Sequence, residues 1–427
     1  MIKIVNKEDC CGCSACAQKC PKHCITMTED HEGFLYPKVD ESTCVDCGLC
    51  NQVCPIQNVF SPTPLIEVFA AYNKNEEIRR ESSSGGVFTL LAEKVIDEGG
   101  VVFGAAFDDQ WQVILDFSES KQGLSRFRGS KYVQADVRET FRQCERFLKA
   151  GRSVLFSGTP CQIAGLRRYL GKDYEHLLTV DVICHGVPSP KVWRKYLYEV
   201  RRNTAKKTAV RRLLEKVPFC SSLNPLPLIK SIRFRDKSDG WKKFRFVLEL
   251  AEASAEGKQS SVLSSIKTID EPFFENIYMK AFLHNLDLRP SCHHCRAKSG
   301  MSNSDLTIAD FWGIQSVAPQ MDDDKGISLV LVNTSKGTEY FENISMECVS
   351  VDFNEAIKGN PNWKESVQPH SKRNHFFCKF EKSKSLFRVI NKELMPQRSR
   401  CQNVRAILLQ IKQQISSLVV GTNKNFQ

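Results

Sequence analysis

No stretch of 18 or more apolar residues occurs in this chain, which excludes an ordinary transmembrane helix. The first ten residues hold Lys3, Lys7, Glu8 and Asp9 and no apolar run, so no secretory leader is read. Reduced thiols in the cytoplasm are then the expected setting. No G-x-G-x-x-G follows a strand-like segment, so a Rossmann nicotinamide site has no support. Helix-turn-helix, zinc-finger and RNA-binding signatures are missing too, which argues against nucleic acid despite a net charge of +11.

The rest of the composition is that of a soluble globular protein, 41% hydrophobic and 26% charged, and 427 residues suffice for two or three domains. Charge is uneven. Residues 1–60 carry 5 Lys+Arg against 8 Asp+Glu, whereas residues 361–427 carry 13 against 3. Such a basic end is usually a solvated face, and it leaves room for an acidic protein partner or peripheral membrane contact.

What is abundant is cysteine, 19 in all. Cys10, Cys13, Cys16 and Cys20 precede Pro21, and Cys44, Cys47, Cys50 and Cys54 precede Pro55. Each run reads C-x-x-C-x-x-C-x-x-x-C-P, the two-cluster ferredoxin pattern, in which the fourth Cys of one run ligates the other run's cluster. Three thiolates on a curled loop reach three irons of one cubane, and the fourth must come from elsewhere. The expected sets are Cys10, Cys13, Cys16 and Cys54 on one 4Fe-4S cluster and Cys44, Cys47, Cys50 and Cys20 on the other. Backbone N–H groups, those of Gly12 and Gly48 among them, are placed to tune the potentials. Structural zinc or a disulfide framework would need only part of this spacing.

Beyond Pro55, a linker at Ser61–Pro64 leads to segments that alternate strand, turn and helix: strands at Val68–Tyr72, Val101–Phe107, Ser153–Phe156, Leu177–Ile183 and Ile327–Val332, and helices within Glu81–Glu98, Glu139–Ala150 and Gly337–Ile344. Asp239-Gly240 sits between alternating runs and predicts an antiparallel hairpin. A mostly parallel sheet follows, with ligands expected at the carboxyl ends of its strands. Cys161 and Cys184 fall at two such ends, and Cys292 and Cys295 form a C-x-x-C pair. These four suit a third metal centre, or are simply unpaired buried thiols. The Ser82–Gly86 turn before a helix allows two readings: Ser84 caps the helix, or Ser83, Ser84, Gly85 and Gly86 admit a phosphate to its backbone N–H groups.

Taken together, Ser82–Gly86 (SSSGG), Gly129–Val133 (GSKYV), Ser157–Gln162 (SGTPCQ), Cys184–Gly186 (CHG), the Cys292/Cys295 pair and Ser304–Gly313 (SDLTIADFWG) resemble the coenzyme F420 hydrogenase/dehydrogenase beta subunit family with a fused two-cluster ferredoxin domain. The resemblance spans roughly residues 68–345. It implies FAD beside a third 4Fe-4S cluster, held by Cys161, Cys184, Cys292 and Cys295. Ser83, Ser84, Gly85, Gly86, Lys131 and Thr159 would lie near the flavin. Ala309 departs from the family pattern, which usually has Gly there, and its methyl would crowd whatever approaches that strand end. Substrates across the family include the deazaflavin coenzyme and a chlorophyll-cycle pigment, and some members accompany polysaccharide biosynthesis.

The expected architecture is therefore α+β: a two-cluster ferredoxin domain over residues 1–60, a linker over 61–67, an α/β flavin and iron–sulfur domain with an antiparallel hairpin insertion over 68–345, and a basic helical extension over 346–427. The expected function is an iron–sulfur flavoprotein oxidoreductase acting with a redox partner protein or a small two-electron substrate. The alternatives are a non-catalytic subunit that delivers electrons to a separate enzyme, and a scaffold whose clusters are only structural. The C-terminal positions Val404, Ile407, Leu408, Ile411, Ile415 and Leu418 share one helical face and predict a docking helix.

Overall fold

A computed structural model describes residues 1–214, 226–251 and 266–395. The apolar face expected over Val404–Leu418, and the thiols of Cys220 and Cys401, lie outside these residues.

Between the two cysteine loops, β1 (Ile25–Glu29) and β2 (Leu35–Val39) form an antiparallel hairpin. The larger part is built on an eight-stranded sheet comprising β3 (Glu67–Tyr72), β4 (Val101–Phe107), β5 (Val113–Ser118), β6 (Val154–Gly158), β7 (Leu177–Val182), β11 (Leu306–Asp310), β12 (Ser328–Val332) and β13 (Glu347–Ser350), in the order β13-β3-β12-β11-β7-β6-β4-β5. The pairings make β3, β4, β6, β7 and β11 run one way and β5, β12 and β13 the other. The central segments VVFG, VLF, LLTVD and SLVLV are continuously buried, as strands covered on both faces must be. Among the covering helices are Val87–Asp97, Thr140–Lys149 and Pro160–Leu170.

The hairpin predicted around Asp239-Gly240 is β8 (Leu228–Asp236) with β9 (Arg245–Ala251), and β10 (Ile266–Pro272) extends it to three antiparallel strands. The region from 346 onward is not wholly helical. It first contributes β13 to the sheet edge beside β3, because residues 347–350 can satisfy their backbone groups against an open edge. Helices Arg373–Lys382 and Leu386–Leu394 then bury Phe376, Phe377, Phe380, Leu386 and Ile390 in one core with Trp193 and Tyr196.

The N-terminal part is packed into the larger one. A Cβ on Gly165 would come within 2.9 Å of the Cys13 Cβ, and one on Gly33 within 2.2 Å of the Lys191 Cβ. Glu32 and Arg373 form a buried, two-pronged ion pair at 3.0 and 2.6 Å. Cys13, Cys16 and Ile56 share a hydrophobic cluster with Phe141, Phe156 and Ile163.

Candidate functional site

Both cysteine loops fold alike, because each needs two left-handed residues to curl three thiols inward. These are Gly12 (φ 73°) and Ser14 (φ 62°) in the first, and Asp46 (φ 48°) and Gly48 (φ 74°) at the matching positions of the second. The first loop is sealed. Cys10, Cys13, Cys16 and Cys54 are all buried, and burial, followed by the charge of Cys10 and Cys54, pushes the Cys16 thiol up to about 12. The second set is open on one side. Cys20, Cys44, Cys47 and Cys50 line one small recess, with Cys20 and Cys50 buried, Cys44 half-buried and Cys47 exposed. Cys24, which carries no motif, joins this recess with its sulfur 3.3 Å from that of Cys20.

A third group forms at the sheet's carboxyl edge. Cys161 sits in the first turn of Pro160–Leu170, Cys184 follows β7, Cys292 lies within the short turn Pro290–His294 and Cys295 ends it. They converge from positions spread between 161 and 295 of the chain. Burial holds the Cys184 thiol well above its usual range, and Cys292, Cys161 and Cys295 raise it further. Buried thiols whose nearest acidic neighbours are one another are costly as thiolates unless a metal centre neutralises them. That is the environment a four-thiolate cluster set meets. Among the described residues no three His, Cys, Asp or Glu side chains close in as tightly as a single metal ion requires.

The first and third groups are adjacent. Cys11 lies between them: its neighbour Cys13 holds its thiol high, and Cys161 works the other way. The third group in turn borders a cavity of about 720 Å³, lined by Cys184, Thr159 and the loops after several strands. This volume falls within the range of cofactor pockets. Its walls are aromatic, with Phe282 stacked on Tyr132 at 4.7 Å and Phe244 on Phe273 at 4.2 Å. The Thr159 hydroxyl stands 3.3 Å from the Cys161 sulfur.

Ser83, Ser84, Gly86, Lys131 and Thr159 line this cavity, together with the start of Val87–Asp97. Gly85 does not. It faces β3 and β12, where a Cβ would meet the Ala71 carbonyl oxygen at 2.4 Å. Ser84 is no cap either, since its hydroxyl donates to the Ile327 carbonyl at 2.6 Å and the N-cap is Gly86 (φ 82°). A Cβ on Gly86 would point at Asn73 and Ser82, both 3.3 Å away, so its glycine serves the left-handed turn rather than clearance for a ligand. Lys131 is spent on its own loop, donating to the carbonyls of Arg128 and Gly129 at 3.1 Å each. Burial, then the nearby Arg126, lowers its pKa to about 7.

The sequence reading missed the cavity's strongest polar feature. Arg235, from β8, pairs with Asp310 at 2.6 Å and lies over the Phe244 ring at 4.1 Å. Asp310 also accepts from the Trp241 indole N–H, and Trp241 stacks on Trp312 at 4.9 Å. Alternation along β8 gives no sign of this, because Phe234 and Arg235 are consecutive and both buried. His185 and Asn360 line the same cavity; burial lowers the His185 pKa, and its Nε2 is 2.7 Å from Asn285.

Residues 68–141 match the family model for the N-terminal part of the coenzyme F420 hydrogenase/dehydrogenase beta subunit, and residues 151–352 match that for its C terminus. Residues 9–58 match a 4Fe-4S dicluster domain. Among solved structures, a chain of the xenon-derivatised F420-reducing NiFe hydrogenase complex from Methanosarcina barkeri is similar at 16% identity. The match covers 78% of this chain and 91% of that one, with a TM-score of 0.40. Comparison with curated proteins gave no match.

Proposed function

The chain belongs to the coenzyme F420 hydrogenase/dehydrogenase beta subunit family and carries a 4Fe-4S dicluster domain, and from that premise we propose an iron–sulfur flavoprotein oxidoreductase. In this reading Cys44, Cys47, Cys50 and Cys20 hold an outer 4Fe-4S cluster and Cys10, Cys13, Cys16 and Cys54 an inner one. Cys161, Cys184, Cys292 and Cys295 hold a third beside the cavity, which takes FAD. A flavin supplies the exchange between one-electron and two-electron chemistry.

The observation that carries the proposal is continuity. The outer recess, the sealed first loop, Cys11, the third thiol group and the cavity follow one another through the molecule. The chain's own residues have definite tasks along this line. Phe244, Phe273 and Phe282 keep water from the ring system of the bound cofactor. Val87, Phe88 and Thr89, which open Val87–Asp97, line the cavity, and a helix start there suits a pyrophosphate. Lys298 donates to the Cys184 carbonyl at 2.9 Å and so fixes the loop that presents that ligand. A protein donor or acceptor meets the exposed Cys47 side, and the small two-electron substrate enters the cavity mouth.

Iron, sulfide and flavin measured on one anaerobic preparation test this. Three clusters correspond to about twelve irons per chain, with one FAD. Clusters without flavin would instead make the chain an electron-delivery subunit for a separate enzyme. Zinc in place of iron would end both readings. The domain limits 1–60, 61–67 and 68–345 enter the proposal as functional units, not as separable folds.

A further inference from the structure

Among the described residues four arginines are buried, and three of them answer a carboxylate: Arg79 meets Asp323 at 2.7 Å, Arg235 meets Asp310 at 2.6 Å and Arg373 meets Glu32 at 2.6 Å. The fourth does not. Arg289 is fully buried, and its partners among the described residues are the carbonyls of Cys10 (2.8 Å) and Leu35 (2.9 Å), the Gln134 side-chain oxygen (2.9 Å) and the Cys10 sulfur (3.6 Å). A buried guanidinium without an anion is expensive. Two aromatic rings help, Tyr36 at 4.4 Å and Phe34 at 5.4 Å, but a cation–π contact supplies no formal negative charge. The groups able to carry the missing negative charge are thiols.

The Arg289 carbonyl accepts from the Cys292 N–H at 3.0 Å, so its backbone begins the turn that presents a third-site thiol. Its side chain crosses to the first loop, 279 residues away in sequence. Gly12 is what admits it, since a Cβ there would lie 2.8 Å from an Arg289 terminal nitrogen. The outer recess, lined by Cys20, Cys44, Cys47 and Cys50, includes no arginine.

We infer that Arg289 is a positioning residue that serves as shared counter-charge for the two inner thiolate sites, Cys10/Cys13/Cys16/Cys54 and Cys161/Cys184/Cys292/Cys295, and raises the reduction potential of whatever clusters they hold. A reduced cluster carries one more electron than an oxidised one, so a fixed cation nearby favours the reduced form. The inference rests on the cluster assignment proposed above and adds to it a residue that ligates nothing.

The test is an EPR-monitored redox titration of the full-length protein, purified anaerobically, with iron counted on the same sample. Arg289→Gln should lower the midpoints of the two inner clusters by roughly tenfold in the reduced-to-oxidised ratio at fixed poise, about 59 mV for one electron. The outer cluster's midpoint should stay put, and Arg289→Lys should recover most of the shift. Wild-type inner midpoints in an iron-replete Arg289→Gln protein would overturn the inference, as would equal shifts for Gln and Lys. If Arg289→Gln loses inner iron, Gln134→Glu decides: a carboxylate beside the guanidinium competes for its charge and should lower the same two midpoints, and unchanged midpoints there refute the counter-charge. Wild-type protein lacking iron at the third thiol group would refute the cluster assignment instead.

Discussion

The two cysteine loops are near-copies in sequence and backbone, yet the fold puts them in opposite surroundings. Position 11 is a buried Cys touching Cys13 and Cys161, while its counterpart Val45 is exposed. Gly12 faces Arg289, while its counterpart Asp46 is exposed and pairs with the chain's amino terminus. Motif identity therefore fixes ligation chemistry, and packing decides which copy meets solvent and which meets the rest of the protein. A cluster's potential depends on burial, net charge and hydrogen bonds to its sulfurs, so equal motifs here imply unequal potentials.

The largest effects should come from removing one proposed ligand of the third group and one of the outer loop. Cys292→Ser should remove about four irons from the full-length protein and leave both ferredoxin-type signals, whereas Cys47→Ser should remove only the outer signal. Iron analysis with EPR reads both; loss of all signals from either variant would show that the sites are not independent. Next in size is the seam itself. Glu32→Ala leaves Arg373 buried without its anion and should cost about 3–5 kcal/mol in denaturant unfolding. The exposed pair between Glu29 of the same hairpin and Arg194 of the helix Pro190–Leu214, at 2.6 Å, should cost under about 1 kcal/mol when Glu29 is removed. Equal costs would mean the seam is no tighter than the surface.

Two smaller effects are expected at the cavity. Gly86→Val forces a β-branched residue to φ 82°, a strain of roughly 1–3 kcal/mol, and flavin retention measured by ultrafiltration should fall about tenfold or more. Lys131→Met should do less, since its ammonium already serves two carbonyls of its own loop. A larger loss for Lys131→Met than for Gly86→Val would mean that the lysine turns toward the cofactor.

Contiguous features were legible in the sequence. The cysteine spacing, the strands at Val68–Tyr72, Val101–Phe107 and Leu177–Ile183, and the helix within Glu81–Glu98 rest on local periodicity, and the structure has elements at those places. What depends on distant partners was not. β5, β10 and β13 are strands because an edge is available to pair with, which short segments such as ECVS do not advertise. Gly85 and Gly86 look interchangeable in SSSGG, but one is fixed by the Ala71 carbonyl and the other by its own φ. Arg289 is one of 60 Lys+Arg in the sequence, and nothing near it in the chain marks it as facing Cys10.

The tight approaches at Gly33 and Gly165 and the Glu32–Arg373 pair have a mechanical consequence. A ferredoxin on a flexible tether can swing between a donor and an acceptor, collecting at one and unloading at the other. This one is welded in place: opening the seam would strip Arg373 of its anion and expose Cys13 to water. In the proposed reading electrons would then pass along a fixed wire rather than by a swinging carrier, with timing left to its two ends, the Cys47 face and the cavity mouth.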